Sequence, residues 1–163
     1  MAKKPQPSER KSPRITNRRA RFNYHILEVA EAGIELVGTE VKSLRAGTAS
    51  MEDAYVRVHN GEAVLIGLSI PAYEHAAALM QHEEKRDRRL LLHRGQIGRL
   101  EEHARVKGNT VVPVTIYFKN GWAKCEVGLA IGKQQFDKRR AMKEKEQKRD
   151  IAREMHRRSR DRD

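Results

Sequence analysis

The sequence predicts a mainly β protein: a small closed antiparallel barrel with short helices, followed by a disordered basic C-terminal tail. Two Asn-Gly pairs lie between segments of alternating apolar residues, two short helical patterns separate the strands, and positive charge gathers at both ends. The formal net charge is +12, yet residues 25–132 hold 13 basic residues against 14 acidic ones. The balanced middle is long enough for one core, whereas the basic ends cannot bury enough apolar surface to fold alone.

One hairpin is predicted around Asn120 and Gly121. Asn-Gly favours the type I′ turn, because both residues tolerate a positive φ and the turn matches the twist of paired strands. The predicted pairs are Phe118 with Ala123, Ile116 with Cys125 and Val114 with Val127. These pairs make one face apolar, so the other face presents Thr115, Tyr117, Lys119, Trp122, Lys124 and Glu126.

A second Asn-Gly pair, Asn60 and Gly61, predicts another hairpin with Val56 facing Leu65 across the strands. Further strands are expected at 22–29, 34–38 and 88–92. Several short antiparallel strands with a helix between them indicate a closed barrel of the oligonucleotide-binding type.

Two helices are expected between these strands. The first is capped by Thr39 and ends at Gly47, and the second turns Leu100 toward the core and ends at Gly108. His75 and His82 follow the first helix in a polar, alanine-rich stretch, which predicts a solvated loop.

The sequence contains no pattern of catalytic or metal-binding residues. Cys125 is the only cysteine, so there is neither an internal disulfide nor a zinc site built on cysteine pairs. No His-Glu-x-x-His pattern and no phosphate-binding glycine loop of the Walker type is present. The longest apolar stretch, 63–73, is too short to cross a bilayer. We therefore expect a cytoplasmic binding protein with no catalytic residue, metal or cofactor, rather than an enzyme.

Two segments favour RNA as the partner. Residues 85–94 place five basic residues around three leucines, so a strand there buries alternate residues and offers Arg or His outward, either as an RNA face or as a solvated edge. The hairpin face with Tyr117 and Trp122 combines stacking surface with lysines, and its alternative role is packing against a terminal arm.

Five strings then identify a resemblance to a known family. They are NRRARFNY from Asn17, EAGIELVGTEVKSLRAG from Glu31, RRLLLHR from Arg88, KNGWAKCEVGLAIGK from Lys119 and DKR from Asp137. In this order and spacing they resemble the SsrA-binding proteins, also called small protein B. The resemblance implies an oligonucleotide-binding barrel that binds transfer-messenger RNA (tmRNA) and delivers it to ribosomes stalled on messages without a stop codon.

The resemblance also implies site residues. Glu31, Leu91 and His93 would line the surface that grips the tRNA-like part of the RNA. The remaining RNA-binding residues expected are Lys42, Arg45, Trp122 and Lys124. Cations contact phosphates and histidine can stack on a base, whereas the Glu31 carboxylate would accept hydrogen bonds from base edges, orient a basic neighbour, or only close the turn before Gly33.

The basic tail is expected to meet the ribosome. The resemblance implies a tail that is disordered when free and helical in the empty messenger channel and decoding centre of the small subunit. The ribosome-binding residues expected are Lys133, Phe136, Asp137, Lys138, Arg139, Ile151 and Met155. Ile151 and Met155 lie one helical turn apart, but so few apolar residues do not hold a free helix.

The expected organisation is a flexible arm over 1–16, an RNA-binding barrel over 17–132 and the tail over 133–163, in a monomer. Composition alone leaves two alternatives, a basic structural protein of the ribosome and a general binder of structured RNA. An RNA-processing enzyme is disfavoured because no ligand cluster for a metal is evident in the sequence.

Overall fold

Seven strands and four helices make up the part of the chain that the computed structural model describes, residues 13–76 and 81–160. The strands are β1 (Ile15–Thr16), β2 (Tyr24–Ile34), β3 (Tyr55–His59), β4 (Glu62–Ile66), β5 (Arg88–Leu91), β6 (Asn109–Lys119) and β7 (Trp122–Gly132). The helices are α1 (Arg18–Asn23), α2 (Gly38–Arg45), α3 (Arg94–Arg105) and α4 (Gln135–Arg160). Of the predicted N-terminal arm 1–16, only residues 13–16 fall within the described residues.

All seven strands belong to one antiparallel sheet in the order β1-β6-β7-β2-β5-β4-β3, which confirms the mainly β class. The prediction of a closed barrel is wrong. The sheet is open, because its two end strands, β1 and β3, are not paired with each other among the described residues. The outer edge of β6 is instead occupied by β1, where Ile15 lies opposite Ile116. The two ends of the sheet are therefore edge strands rather than partners.

Both Asn-Gly hairpins form as predicted. Asn60 and Asn120 have φ of 51° and 52°, and the glycine after each also has a positive φ. Ile116 lies opposite Cys125 and Val56 opposite Leu65, so these two predicted registers are confirmed.

Away from the turn, the pairing of the first hairpin differs from the prediction. Val114 was expected opposite Val127, but Pro113 takes that place and a bulge follows it. Proline has no N–H to donate within the sheet. Asn17 binds the carbonyls at this point instead: its side-chain amide donates to the Pro113 carbonyl at 3.0 Å, and its backbone N–H donates to the Val114 carbonyl at 2.8 Å. The extra residue turns the Val114 side chain into the space above Gly128.

The expected strand 34–38 is also wrong. β2 ends at Ile34 and α2 begins at Gly38, after Val37. The Glu40 carboxylate accepts a hydrogen bond of 2.9 Å from the Val37 N–H, so the first turn is capped by Glu40 and not by Thr39.

Thr39 has a different partner, which corrects the expectation of a solvated loop at His82. The His82 Nδ1 atom lies 2.8 Å from the Thr39 hydroxyl, and Nε2 lies 2.9 Å from the carbonyl oxygen of Ile70. The polar stretch is therefore tied to α2 by a half-buried histidine.

The core lies between one face of the sheet and the helices α2 and α3. Leu44 of α2 and Leu100 of α3 are buried there against Leu65, Ile116 and Val127. Cys125 is also fully buried, and this burial raises the pKa of its thiol to about 12.

A buried ion pair joins α2 to the start of β5. The Arg88 guanidinium and the Glu40 carboxylate are both fully buried, with Nε 2.9 Å from Oε1, and Arg86 approaches the same carboxylate at 2.6 Å. Arg88 also donates to the backbone carbonyls of Leu68, Arg86 and Glu84. Of the basic residues in 85–94, Arg88 is thus fully buried and Arg86 is half-buried on the same carboxylate, so neither contributes to a basic outer face.

Gly67 provides a stability test of the loop after β4. Its φ is +75°, and a Cβ there would lie 2.8 Å from the carbonyl oxygen of Asp53. Gly61 has a similar φ of +73° but open space around it, so Gly61→Ala should lower the free energy of unfolding by about 1–2 kcal/mol through backbone strain alone. Gly67→Ala should cost clearly more, because a backbone carbonyl must also move; equal losses in urea unfolding would contradict this account.

The tail is helical over Gln135–Arg160, where the sequence predicts disorder in the free protein. Good helix formers fill this segment, and it is supported by ion pairs along the helix, Arg140 with Glu144 and Asp150 with Arg153. Every described side chain of α4 is exposed, so local propensity rather than packing accounts for the helix. No helix within the described ranges is both long and apolar enough to span a membrane.

Candidate nucleic-acid interface

The outer face of the sheet carries a row of residues across four strands. Tyr117 of β6 lies opposite Lys124 of β7, which lies opposite Gly33 of β2, which in turn lies opposite Leu91 of β5. Because side chains alternate along a strand, Glu31 stands on the same face, two residues from Gly33. Sheet pairing thus brings together three predicted RNA-binding residues that are up to 93 positions apart in the chain.

Leu91 is exposed because of the alternation within β5. Arg88 and Leu90 point into the core, while Arg89 and Leu91 point outward, and Leu91 is 55% exposed. A Cβ on Gly33 would lie 3.2 Å from the Leu91 Cβ, so the glycine leaves room for the leucine to lie across β2. An apolar side chain held open in this way offers a surface for a base or a ribose.

A groove of about 450 Å³ surrounds this leucine. His93, the N-cap residue of α3, is exposed at its edge, and its backbone N–H donates to the Gln96 side chain at 3.0 Å. The groove is lined by Glu31, Gly61, Glu62, Arg89, Leu90, Leu91, Leu92, His93, Gln96, Ile97 and Lys124. Its apolar floor and its charged rim match the two kinds of contact that a structured RNA offers.

Glu31 lies among cations. Its carboxylate is 3.2 Å from the Lys119 ammonium and 3.6 Å from the Lys124 ammonium, and it accepts a hydrogen bond from the Tyr117 hydroxyl. The hydrogen bonds from Tyr117 and Lys119 hold the pKa of Glu31 below its usual 4.5. Three roles were possible for Glu31: accepting hydrogen bonds from base edges, orienting a basic neighbour, or closing the turn before Gly33. This arrangement fits the second role, a carboxylate that orients basic neighbours.

The Tyr117 phenol is the counterpart of this carboxylate. Its hydrogen bond to Glu31 raises the pKa of the phenol to about 12, so the hydroxyl stays a donor at neutral pH. On its other side, the Arg14 guanidinium lies 5.4 Å from the centre of the Tyr117 ring and pairs with Glu126 at 3.0 Å. The face therefore continues to the segment before β1.

Trp122 stands at the tip of the β6–β7 hairpin, opposite Lys119. Trp122 alternates with Lys124 along β7 and so lies on the polar face, as predicted. Its side chain is 75% exposed, so the described residues leave most of the ring uncovered. An uncovered indole beside lysines is a stacking surface for unpaired bases.

Lys42 and Arg45 lie elsewhere, although both were expected beside the Glu31 surface. The Lys42 ammonium is 5.3 Å from the Tyr73 ring centre, and the Arg45 guanidinium is 5.4 Å from that of Phe118. Phe118 alternates with Tyr117 and packs against the core, so Arg45 lies toward the opposite side of the hairpin. Helix α2 places these cations away from the groove.

The predicted ribosome-binding residues divide into two groups. The Lys133 N–H donates to the carbonyl of Asn23 at 2.9 Å, and its ammonium to that of Arg21 at 3.0 Å, so Lys133 anchors the chain to α1 before the tail begins. The side chains of Arg139, Ile151 and Met155 are exposed on α4. The side chains of Phe136, Asp137 and Lys138 lie outside the described part of the structure.

Three further residues contribute to this face, although the sequence identifies none of them and predicts only that the strand in 85–94 offers an Arg or His outward. Arg89 lines the groove and pairs with Glu62 at 3.2 Å, and counting back two residues from Leu91 along the strand would have found it. Gln96 lines the groove from α3, and Arg14 covers Tyr117 from the N-terminal segment; no pattern in the sequence indicates either residue.

No group of three or more potential metal ligands occurs in residues 13–76 and 81–160.

Comparison with known proteins gives this face its context. The family model described as SmpB protein matches residues 14–157. The chain belongs to this family. The match covers the whole sheet and most of α4, so both the candidate interface and the helical tail lie within the family's extent.

Relatives agree with the SmpB assignment. The SsrA-binding protein of Gloeothece citriformis is 49% identical over 141 residues, covering 86% of this chain and 91% of that protein. The SsrA-binding protein of Thermobifida fusca is 45% identical over 160 residues, covering 97% and 99%. A solved structure described as "tmRNA-SmpB: a journey to the center of the bacterial ribosome" contains a chain that is 46% identical, with a TM-score of 0.66 over 76% of this chain and 86% of that one.

Proposed function

We propose that this protein binds tmRNA and delivers it to stalled ribosomes for trans-translation and rescue. The observation that carries the proposal is the groove in which Glu31, Leu91, His93 and Lys124 meet on one face of an SmpB-family sheet. The related proteins are named for binding SsrA RNA, and the related structure is described with tmRNA and the bacterial ribosome. The alternative, a structural protein of the ribosome, is less favoured because these relatives are named for binding SsrA RNA.

The predicted contacts on this face, in the groove and on the hairpin beside it, have roles that their positions allow. Lys124 and Lys119 contact phosphates of the tRNA-like part, and Leu91 packs against a sugar or base. His93 stacks on or hydrogen-bonds an unpaired base, and Trp122 provides a second stacking surface at the hairpin tip. These contacts require no chemistry on the RNA, so the protein acts as a binding factor and not as an enzyme, without a cofactor or metal.

The tail acts at a second partner. It extends from the anchor at Lys133 into the messenger channel and decoding centre, where Arg139 and the exposed pair Ile151 and Met155 meet the ribosome. The three parts of the chain are an arm over 1–16, the RNA-binding domain over 17–132 and this tail over 133–163. The protein works as a monomer in the cytoplasm, where ribosomes are.

Binding to tmRNA with one lysine removed tests the proposed face. Lys124→Ala should weaken tmRNA binding and lower the slope of log affinity against log salt by about one, because one phosphate contact is lost. Lys107→Ala, in the exposed turn between α3 and β6, removes the same charge away from the groove and should leave the affinity nearly unchanged. Filter binding over a range of salt concentrations measures both.

Equal losses in the two variants would show that binding depends only on overall charge, and the groove would not be the RNA site. If the wild-type protein does not prefer tmRNA over an unrelated structured RNA of equal length, the delivery function fails as a whole.

A further inference from the structure

Tyr117 lies on the candidate interface opposite Lys124, next to the groove but not among the residues that line it. The sequence predicts a stacking role for its ring on the hairpin face, whereas the structure also gives a role to its hydroxyl. Its ring is half-buried between Arg14 and the sheet, and its hydroxyl donates to Glu31. The same carboxylate lies within 3.6 Å of two ammonium groups. Three donors therefore converge on one acidic residue, and of these Tyr117 is the one with a rigid ring, which is half-buried and contacted by the Arg14 guanidinium.

The two lysines benefit from this arrangement because their ammonium groups repel each other and their side chains are long. A lysine side chain loses considerable rotamer freedom when it is held in one geometry. A carboxylate between two ammonium groups offsets their repulsion and holds them before the RNA arrives, so less ordering remains to be done on binding. The carboxylate can do so only if its own direction is fixed.

We propose that Tyr117 is a positioning residue of the RNA site: its hydroxyl fixes the Glu31 carboxylate between Lys119 and Lys124, so that both ammonium groups are pre-arranged for phosphates. This inference rests on the proposed function. Arg14 supports it from the other side, since its guanidinium covers the ring and its pairing with Glu126 ties the segment before β1 to the same unit. Tyr117 itself does not need to touch RNA.

The test removes the hydroxyl alone. Tyr117→Phe keeps the ring beneath Arg14, and it should weaken tmRNA binding about fivefold, the effect of one lost hydrogen bond. In the free protein, the pKa of Glu31 should rise toward 4.5, as followed by NMR titration of its carboxyl carbon. Tyr55→Phe removes a phenol hydroxyl from the exposed side of β3 and should change neither quantity.

A double-mutant cycle separates positioning from direct contact. In the Glu31→Gln background, Tyr117→Phe should weaken binding no further, since the group it positions has already lost its charge. A full additional loss in that background would overturn the proposal and make Tyr117 a direct RNA contact. An unchanged Glu31 pKa in Tyr117→Phe would overturn it as well.

The NMR titration uses the protein without RNA, so it distinguishes two kinds of failure. If the wild-type protein does not bind tmRNA but the Glu31 pKa moves as expected, the proposed function has failed while the hydrogen bond stands. If tmRNA binds normally to both wild type and Tyr117→Phe, the positioning role is wrong and the function stands.

Discussion

Replacing Arg88 with methionine is expected to lower the free energy of unfolding by about 3–5 kcal/mol, the cost of breaking a buried ion pair from one side. The change leaves Glu40 buried with Arg86 as its remaining cation, and it removes the donor from the carbonyls of Leu68 and Glu84. Methionine keeps an unbranched apolar side chain that fills the space of the arginine stem, so the loss reflects charge and hydrogen bonding more than a cavity. Urea unfolding measures the difference.

Arg89→Met is the matched control on the next residue of β5. Arg89 is half exposed and pairs with Glu62 on the surface, and such pairs contribute at most about 1 kcal/mol. Comparable losses in the two variants would contradict the interior role of Arg88. Because Arg89 lines the groove, this control is compared in stability and not in RNA binding.

The same pair predicts how stability depends on pH. Burial alone would raise the pKa of Glu40, but the Arg86 guanidinium, the Val37 N–H and Arg88 bring it below the ordinary 4.5. The stabilisation is therefore complete above about pH 4.5 and is lost as the pH falls through the lower pKa of the folded protein. Glu40→Gln should be less stable at neutral pH and should show a smaller further loss below pH 4.5.

A chain that ends at Gln134 is expected to bind tmRNA nearly as well as the full chain but to lose ribosome rescue. The described side chains of α4 are all exposed, and the groove draws on none of them. Lys133 stays in place because its N–H and its ammonium are bonded to α1. The measurements are the affinity for tmRNA and the release of ribosomes stalled on a message without a stop codon.

The controls for this truncation are its thermal midpoint, which should match that of the full chain, and a full-length variant with Ile151→Ala and Met155→Ala. That variant keeps the length and charge of the tail but loses its exposed apolar pair, so tmRNA binding should be retained and rescue reduced. A truncation that impairs tmRNA binding as much as rescue would contradict the division between sheet and tail.

Local patterns determined much of this protein in advance. Asn-Gly at 60–61 and at 120–121 sets both tight turns and the register near them, because the turn chemistry and the apolar alternation act over a few residues. The family motifs carry Glu31, Leu91, His93 and Lys124, and the structure gathers these four around one groove. Their roles toward RNA remain predictions.

Longer-range features were decided only by the tertiary structure. The bulge after Pro113 depends on Asn17, about a hundred positions away, and Arg88 is buried rather than offered to RNA because α2 brings Glu40 beneath β5. Lys42 and Arg45 lie outside the groove, beside Tyr73 and Phe118, because the packing of α2 on the core sets where this helix lies. A sequence specifies which residues alternate and turn, whereas the partners of a charge depend on which distant segments the core brings beside it.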